Sequence, residues 1–203
     1  MLERVGVDQK LMVEIQRNPN VLHEGFQWKN LYDIEHWRGR KLINQFQEHN
    51  LVTTEGKRYI LDIVAFGATD VYTLVTDWYV LLTSTTQAEV VGMNYDNIGQ
   101  GGAHITEFQT FKAPTTARQP WVPVLDATLA SITSNASKAS FTIGNAPATQ
   151  VYGAGLVTNS TLGDHANAGP PYPNALLSYS KFTSAITVAE DDVIKVGITL
   201  SIA

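Results

Sequence analysis

The sequence contains no cysteine, which excludes disulfide scaffolds, thiolate metal sites and cysteine nucleophiles. It contains no apolar run of about 18 residues, so no transmembrane helix is predicted. The first residues, MLERVGVDQK, are charged and lack the apolar stretch of a secretory signal peptide. These absences lead us to expect neither a disulfide-stapled domain nor a membrane partner.

Charged residues are scarce in most of the chain. Residues 61–203 carry 5 Lys and Arg and 11 Asp and Glu, against 9 and 8 in the first 60 residues. An average globular chain is about a quarter charged residues, so exposed positions here must be filled by Ser, Thr, Asn, Gln and Ala. Such a surface is desolvated against another protein at low cost. The net charge of −5 also argues against a nucleic-acid partner.

The first 22 residues are predicted to form an arm in front of a single domain, residues 23–203. Leu11, Met12 and Ile15 share one face of a short helix, which ends at the breaker Asn18-Pro19-Asn20. A helix this short is not stable alone. We therefore expect these three side chains to pack on another surface, which is either the chain's own domain or a neighbouring subunit or other protein.

Residues 25–52 alternate polar and apolar side chains around Gly39, which predicts a β-hairpin. The following segment, TTEGKRYILDIVAFG, has the periodicity of the only helix expected in the domain. Thr54 is predicted to cap it, Glu55 suits its first turn, and Gly67 stands at its C-terminal end.

After Gly67 the sequence predicts strands alone. Residues 77–85 form an apolar strand buried on both faces, residues 88–93 a short strand or a lead into a loop, and residues 104–111 an alternating strand. Residues 122–134 and 138–144 are expected to pair with each other across Asn135-Ala136-Ser137. The chain closes on two long strands, with Leu200 and Ile202 in the core. Short strands with frequent turns predict a mainly β fold, an antiparallel sandwich or jelly roll.

The first cluster that resembles a site is Asp33, Glu35 and His36. On a strand, Asp33 and Glu35 share one face while His36 points to the other, so the three side chains do not converge on a metal. A solvated strand end is the expected interpretation.

Other candidates also fail on geometry. His104 and Glu107 fall on opposite faces of the strand expected there. The loop at residues 99–102, GQGG, is not followed by a helix that would present amides to a phosphate. Residues 190–192, EDD, lack the spaced oxygens of a calcium loop and predict a turn. No G-x-S-x-G elbow occurs. We therefore expect no catalysis, no cofactor and no metal.

Several segments, taken in order, resemble a widespread group of virion proteins of tailed bacteriophages. They are HNLVTTEGKRYILDIVAFG (49–67), WYVLL (78–82), ARQPW (117–121), SNASKASFTI (134–143), VYGAGLVT (151–158) and the closing DDVIKVGITLSIA. The resemblance covers about residues 25–203, and ARQPW carries one residue more between Arg and Pro than the group's pattern.

The resemblance implies a structural role in the particle, with no catalytic residues to carry over. It favours a head decoration or cement protein that binds the major capsid protein on the capsid exterior. Such a protein is expected to be made in the host cytoplasm and to form a homo-oligomer, with a trimer favoured. A tail, baseplate or fibre-attachment component is the alternative.

A carbohydrate-binding module is a third class, because four tryptophans are present and aromatic rings stack on sugars. They are Trp28, Trp37, Trp78 and Trp121. Trp28 and Trp78 lie on predicted core faces, where burial is the usual role of an indole ring.

Overall fold

The computed structural model describes residues 28–66, 77–99, 105–115, 117–126, 131–144, 149–164 and 173–202. These residues form two packed antiparallel sheets and one α-helix, which confirms the predicted β-sandwich. The predicted arm with its three apolar residues, Leu11, Met12 and Ile15, lies outside the described residues.

The first sheet contains seven strands: β1 (Trp28–Arg38), β2 (Lys41–Val52), β4 (Phe111–Ala113), β6 (Val124–Asp126), β7 (Ser131–Thr133), β8 (Ala139–Ile143) and β11 (Asp192–Ile202). β1 and β2 form the predicted hairpin. It turns at Gly39, whose φ of +57° is a left-handed conformation that glycine adopts at little cost. β11 pairs with the other edge of β1 along its whole length.

The second sheet contains four strands: β3 (Trp78–Thr83), β5 (Gln119–Trp121), β9 (Thr149–Val157) and β10 (Leu176–Val188). They lie in the order β10, β9, β3, β5. β2 pairs with β10 at Leu51 and Val52, so the two sheets are joined along one edge. β3 is buried from Val80 to Thr83, as its apolar sequence predicts.

The predicted pairing of residues 122–134 with residues 138–144 is wrong. β7 and β8 lie one after the other along the same edge of β11, opposite residues 199–201 and 193–196 respectively. Ser134 fastens the intervening turn to β11, because its amide donates to the Ile198 carbonyl and its Oγ accepts the Ile198 amide. β6 folds back on β7 instead, so the expected single strand is split in two.

Gly197 explains why this turn can lie flat on β11. A Cβ at Gly197 would stand 2.2 Å from Asn135 Oδ1 and 3.2 Å from Lys138 Cγ. The missing side chain therefore leaves the space that the turn occupies. A glycine inside a strand often marks such a close approach of another segment.

The core lies between the sheets and is built from the inward-facing residues of both. Tyr32 and Ile34 of β1 are fully buried there, and Leu200 is buried as predicted. The side chain of Ile202 lies outside the described residues. Other members from the two sheets are Val80, Leu82, Phe141, Ile143, Val151, Leu156, Ile186, Ile194, Val196 and Ile198.

The helix α1 (Thr54–Phe66) occupies the predicted position, but its cap is Thr53 and not Thr54. Thr53 Oγ1 accepts the Gly56 amide at 2.9 Å, and Thr53 is buried while Thr54 is exposed. A threonine caps from the position where its oxygen reaches the first free amides, and here that position is one residue earlier. In the part of the chain that the structure describes, no helix is long and apolar enough to cross a membrane.

The segment between β3 and β4 contains less strand than predicted. Residues 88–93 lead into a turn, which agrees with the second of the two expected alternatives. A 3₁₀ turn follows at Tyr95–Asn97. Ile105 and Glu107 make isolated bridges to Ile98 and Thr83. The continuous strand expected at residues 104–111 is therefore wrong, and regular strand begins only with β4 at Phe111.

The first turn of α1 packs directly on the backbone of β10. A Cβ added to Gly56 would lie 2.1 Å from the Leu177 carbonyl oxygen, whereas one added to Gly92 would meet nothing within 4 Å. We expect Gly56→Ala to lower the free energy of unfolding by about 2–4 kcal/mol, because a main-chain atom must move to accept the methyl group. Urea unfolding followed by circular dichroism measures the loss. Gly92→Ala is the matched control, and equal midpoints for the two variants would contradict this packing.

Candidate functional site

Asp33, Glu35 and His36 separate onto the two faces of β1, as predicted, but they do not form a solvated strand end. His36 is buried, and its Nε2 lies 2.9 Å from Asp192 Oδ2. Asp33 and Glu35 face the other way and contact Lys138. The expected solvation is wrong because His36 meets Asp192 of β11 on one face, and Lys138 meets the two carboxylates on the other.

Asp192 is a buried anchor that connects the end of β1 with the turn between β10 and β11. Arg38 Nε and Nη2 each donate to its carboxylate at 2.8 Å, and the Ala189 amide donates at 2.9 Å. The hydrogen bonds from Arg38 hold the pKa of Asp192 well below its usual range. They outweigh burial, which disfavours the charged carboxylate and acts in the opposite direction. The predicted turn at residues 190–192 is confirmed, with φ of +66° at Asp191. Its third residue is a structural anion and not a surface charge.

Lys138 joins the two carboxylates on the outer face of the first sheet. Its Nζ lies 2.8 Å from Asp33 Oδ2 and 2.7 Å from Glu35 Oε1. Burial disfavours the charged amine, but the hydrogen bonds to both carboxylates outweigh it and raise the pKa of Lys138. The amine is therefore protonated and not a nucleophile.

A shallow depression of about 450 Å³ lies beside this ion-paired group. Ser137, Ser140 and Lys195 line it together with Glu35 and Lys138. The charged residues are already engaged: Lys195 Nζ stands 5.1 Å from the centre of the Trp37 ring, and the Trp37 indole donates to Glu35 at 2.7 Å. The depression thus presents hydroxyl groups and paired charges rather than a reactive group.

A buried Arg118–Glu107 ion pair, which local sequence patterns do not predict, lies beside β3 and β5 of the second sheet. Arg118 Nε and Nη2 donate to the two Glu107 oxygens at 2.8 and 2.9 Å, and both side chains have no exposed surface. The remaining guanidinium hydrogens reach the Tyr95 hydroxyl and the carbonyls of Asn159 and Asp164. All five donors of the arginine are used, which is what a buried guanidinium requires.

The pair holds together three segments that carry little regular structure, namely the 3₁₀ turn at Tyr95, the start of β5 and the loop at residues 159–164. The Gly163 amide donates to Glu107 at 2.7 Å, and the Tyr95 hydroxyl donates to the Asp164 carbonyl at 2.9 Å. Burial raises the pKa of Tyr95 to about 12, so the phenol stays neutral and donates its hydrogen. The signal in the sequence was the isolation of Glu107 and Arg118 in a segment with almost no other charges.

Where the structure describes them, the remaining predicted candidates form no binding site. Gly99 has a φ of +80°, and its amide donates to the Ile105 carbonyl at 2.6 Å, so it is not free for a phosphate. Residues 100–104, with His104, lie outside the described residues. Within the described ranges, no group of three or more His, Asp or Glu side chains is placed to hold a metal ion.

The described tryptophan rings serve packing. Trp78 stacks on Trp121 with ring centres 5.3 Å apart, and the Tyr59 ring meets Trp78 edge on. Trp121 is buried and donates to the Ile198 carbonyl. Lys195 lies over one face of Trp37, so each of these three indoles is engaged in packing within the domain. The side chain of Trp28 lies outside the described residues.

Apolar exposure is concentrated where the chain crosses from β5 to β6. Val122, Val124 and Leu125 are 52%, 59% and 68% exposed. β6 pairs with β7 alone among the described strands. Adjacent residues of a strand point to opposite faces, so the exposure of both Val124 and Leu125 means that neither face of β6 is covered. We call Val122, Val124 and Leu125 the crossover patch.

Comparison of the chain with protein-family models, with curated proteins and with solved structures found no match.

We expect removal of one member of the buried Arg118–Glu107 pair to be strongly destabilising. Arg118→Met should lower the free energy of unfolding by about 3–5 kcal/mol, because Glu107 would remain buried without its counter-charge. Lys112→Met is the control: Lys112 pairs with Asp191 at 2.6 Å in an exposed pair, and its loss should leave the midpoint of urea unfolding nearly unchanged. Similar losses in the two variants would contradict the structural role given to Arg118.

Glu55 predicts a pH dependence of stability. Its Oε2 accepts the amides of Tyr95 and Leu176, each at 2.7 Å, and burial raises its pKa from 4.5 to about 7. Because the folded state then binds the proton more tightly than the unfolded state, the stability from this group is fully present below pH 4.5 and is lost as pH rises to about 7. The difference should reach at most about 3 kcal/mol.

Glu55→Gln keeps an acceptor oxygen and removes the titration. Urea unfolding of both proteins between pH 4.5 and 8 should give a difference in stability that changes across this window. Parallel profiles would show that Glu55 does not titrate there.

Proposed function

We propose that the chain is a structural component of a tailed-bacteriophage virion, acting as a head decoration or cement protein that binds the major capsid protein lattice. The observation that carries the proposal is the use of the buried charged side chains. In the described part of the domain, Arg118 and Glu107 neutralise each other, Asp192 holds Arg38, and Lys138 holds Asp33. These groups stabilise the fold and leave no activated acid, base or nucleophile among themselves.

The surface supports an assembly role. Residues 61–203 have few charges, and the crossover patch adds apolar area on both faces of β6. Contact with another protein would desolvate few charged groups there, which is the condition that favours the centre of an interface.

Rigidity supports a shell-reinforcing role in particular. Ion pairs and hydrogen bonds connect segments that are distant in sequence, such as β1 with the end of β10 and the 3₁₀ turn with the loop after β9. A rigid surface loses little conformational entropy on binding. Even a weak contact then becomes effective when symmetry repeats it over a particle.

A reconstruction of the purified particle by electron microscopy tests the location. Density that fits the two-sheet domain on the outside of the head supports decoration. Density at the tail or baseplate would replace the head assignment by the alternative, and absence from the particle would contradict a virion role.

We expect the crossover patch to contribute to attachment. The double variant Val124→Asp and Leu125→Asp should fold normally, since both residues are exposed, and should reduce occupancy on particles because charged groups would be desolvated at the contact. Binding of purified protein to particles that lack it, followed by sedimentation, measures occupancy. Val90→Asp, at a site 50% exposed, is the control. Full occupancy of the double variant would contradict this use of the patch.

Deletion of residues 1–22 is the matching test of the predicted arm and its residues Leu11, Met12 and Ile15. The truncated chain should keep its sandwich fold and bind particles more weakly. Unchanged occupancy would show that the arm makes no contact with the lattice.

A further inference from the structure

As far as the described residues extend, the outer edge of β2 is open over most of its length. β2 pairs with β1 from Lys41 to Asn50, but it pairs with β10 at Leu51 and Val52 alone. No described strand lies beside residues 41–47 on the other side. The outward-pointing backbone amides and carbonyls of this segment are therefore available to another strand, which is the situation that leads to strand pairing between molecules.

The side chains of this edge do little to prevent such pairing. Residues 41–45 and 47 are exposed, with Leu42 at 39% and Ile43 at 44%. Residues 42–47, LINQFQ, contain no charge and no proline. The register shifts at Ile43, because His36 pairs with Asn44 and Trp37 with Leu42. This bulge affects one end of the edge and leaves Asn44–Gln47 as a regular ladder.

The charges at the two ends of this edge are opposite. Arg40 and Lys41 stand at its beginning, and neither has an ion pair or a side-chain hydrogen bond among the described residues. Glu48 stands at its other end, where it accepts the Thr183 amide and hydroxyl. If two such edges met antiparallel, the cationic end of each would lie beside the acidic end of the other. Opposite charges across a strand pair are stabilising.

We propose that residues 41–47 of β2 pair edge to edge and antiparallel with the same residues of a second copy of this chain, about a two-fold axis near Asn44 and Gln45. The contact is isologous, so each copy contributes the same surface and the pairing closes at two molecules. It continues the first sheet of one molecule into that of the other. A three-fold assembly, expected from the resemblance, would require a different contact.

The contact is small. Pairing of about seven residues buries less than the roughly 1,200–2,000 Å² of a typical stable interface. The dimer should therefore be weak, with a dissociation constant of roughly 10 µM to 1 mM. The inference does not depend on the proposed virion role, because self-association is measured on the purified chain without particles.

Sedimentation velocity of the full chain from about 1 µM to about 1 mM tests the proposal over this range of affinity. We expect a monomer that converts to a dimer as concentration rises. Ile43→Lys should weaken the dimer at least roughly tenfold, because an edge lysine is solvated in the monomer and must be desolvated in the pair. Val90→Lys, which places the same charge at a similarly exposed β-branched residue, should leave the dimer unchanged.

Three further variants identify the partner strand and its direction. Lys41→Glu should weaken the dimer by up to roughly tenfold, since it replaces one of the two cations at the beginning of each edge by an acid that would lie near Glu48 of the other copy. The chain has no cysteine, so a single introduced thiol reports contact between copies: Asn44→Cys or Gln45→Cys should form a disulfide-linked dimer, and Val90→Cys should not.

The proposal is overturned by a monomer at every concentration, by a trimer that is insensitive to Ile43→Lys, or by the absence of a disulfide-linked dimer from both β2 cysteine variants. A pairing of this edge with residues 1–27 of the same chain would appear as the first of these results.

Discussion

Arg118 and Glu107 set the constraint on which much of the irregular part of the domain depends. Two opposite charges with no exposed surface are tolerated only if every donor and acceptor is satisfied. This requirement brings together the 3₁₀ turn at Tyr95, the start of β5 and the loop at residues 159–164. In a region with so few charges, the pair specifies one arrangement of loops that apolar packing alone would leave less defined.

The periodic parts of the fold were predictable from the sequence, and the contacts distant in sequence were not. The hairpin at residues 28–52 and α1 follow from local patterns, because neighbouring residues decide alternation and helical spacing. The cap at Thr53 was missed, since two adjacent threonines offer the same chemistry and only the position of β10 decides between them. The pairing of β7 and β8 with β11 was missed because it also depends on a tertiary contact, the packing of the turn between them in the space above Gly197.

For the candidate site, the sequence predicted only which side chains lie apart from one another. Alternation along β1 correctly separated His36 from Asp33 and Glu35. It could not show that Lys138 and Asp192 would meet these residues, because those partners lie more than a hundred residues away in the chain. The open edge of β2 is also a tertiary property. A strand of that sequence has the same pattern whether or not a neighbour covers it. The ladder between β10 and β2 ends at Tyr179, so none of the described strands pairs with residues 41–47 on that side.

The central position of β11 has a consequence for biosynthesis. β11 lies between β1 and the two strands β7 and β8, yet it follows all of them in the chain. While a ribosome is still translating the earlier strands, the edge of β1 that pairs with β11 has no partner. The apolar face of the first sheet then remains open. Completion of this sheet must wait until residues 192–202 emerge, and contacts so distant in sequence form slowly. The nascent chain therefore stays aggregation-prone until residues 192–202 have emerged, and chaperone protection before that point would have the largest effect on yield.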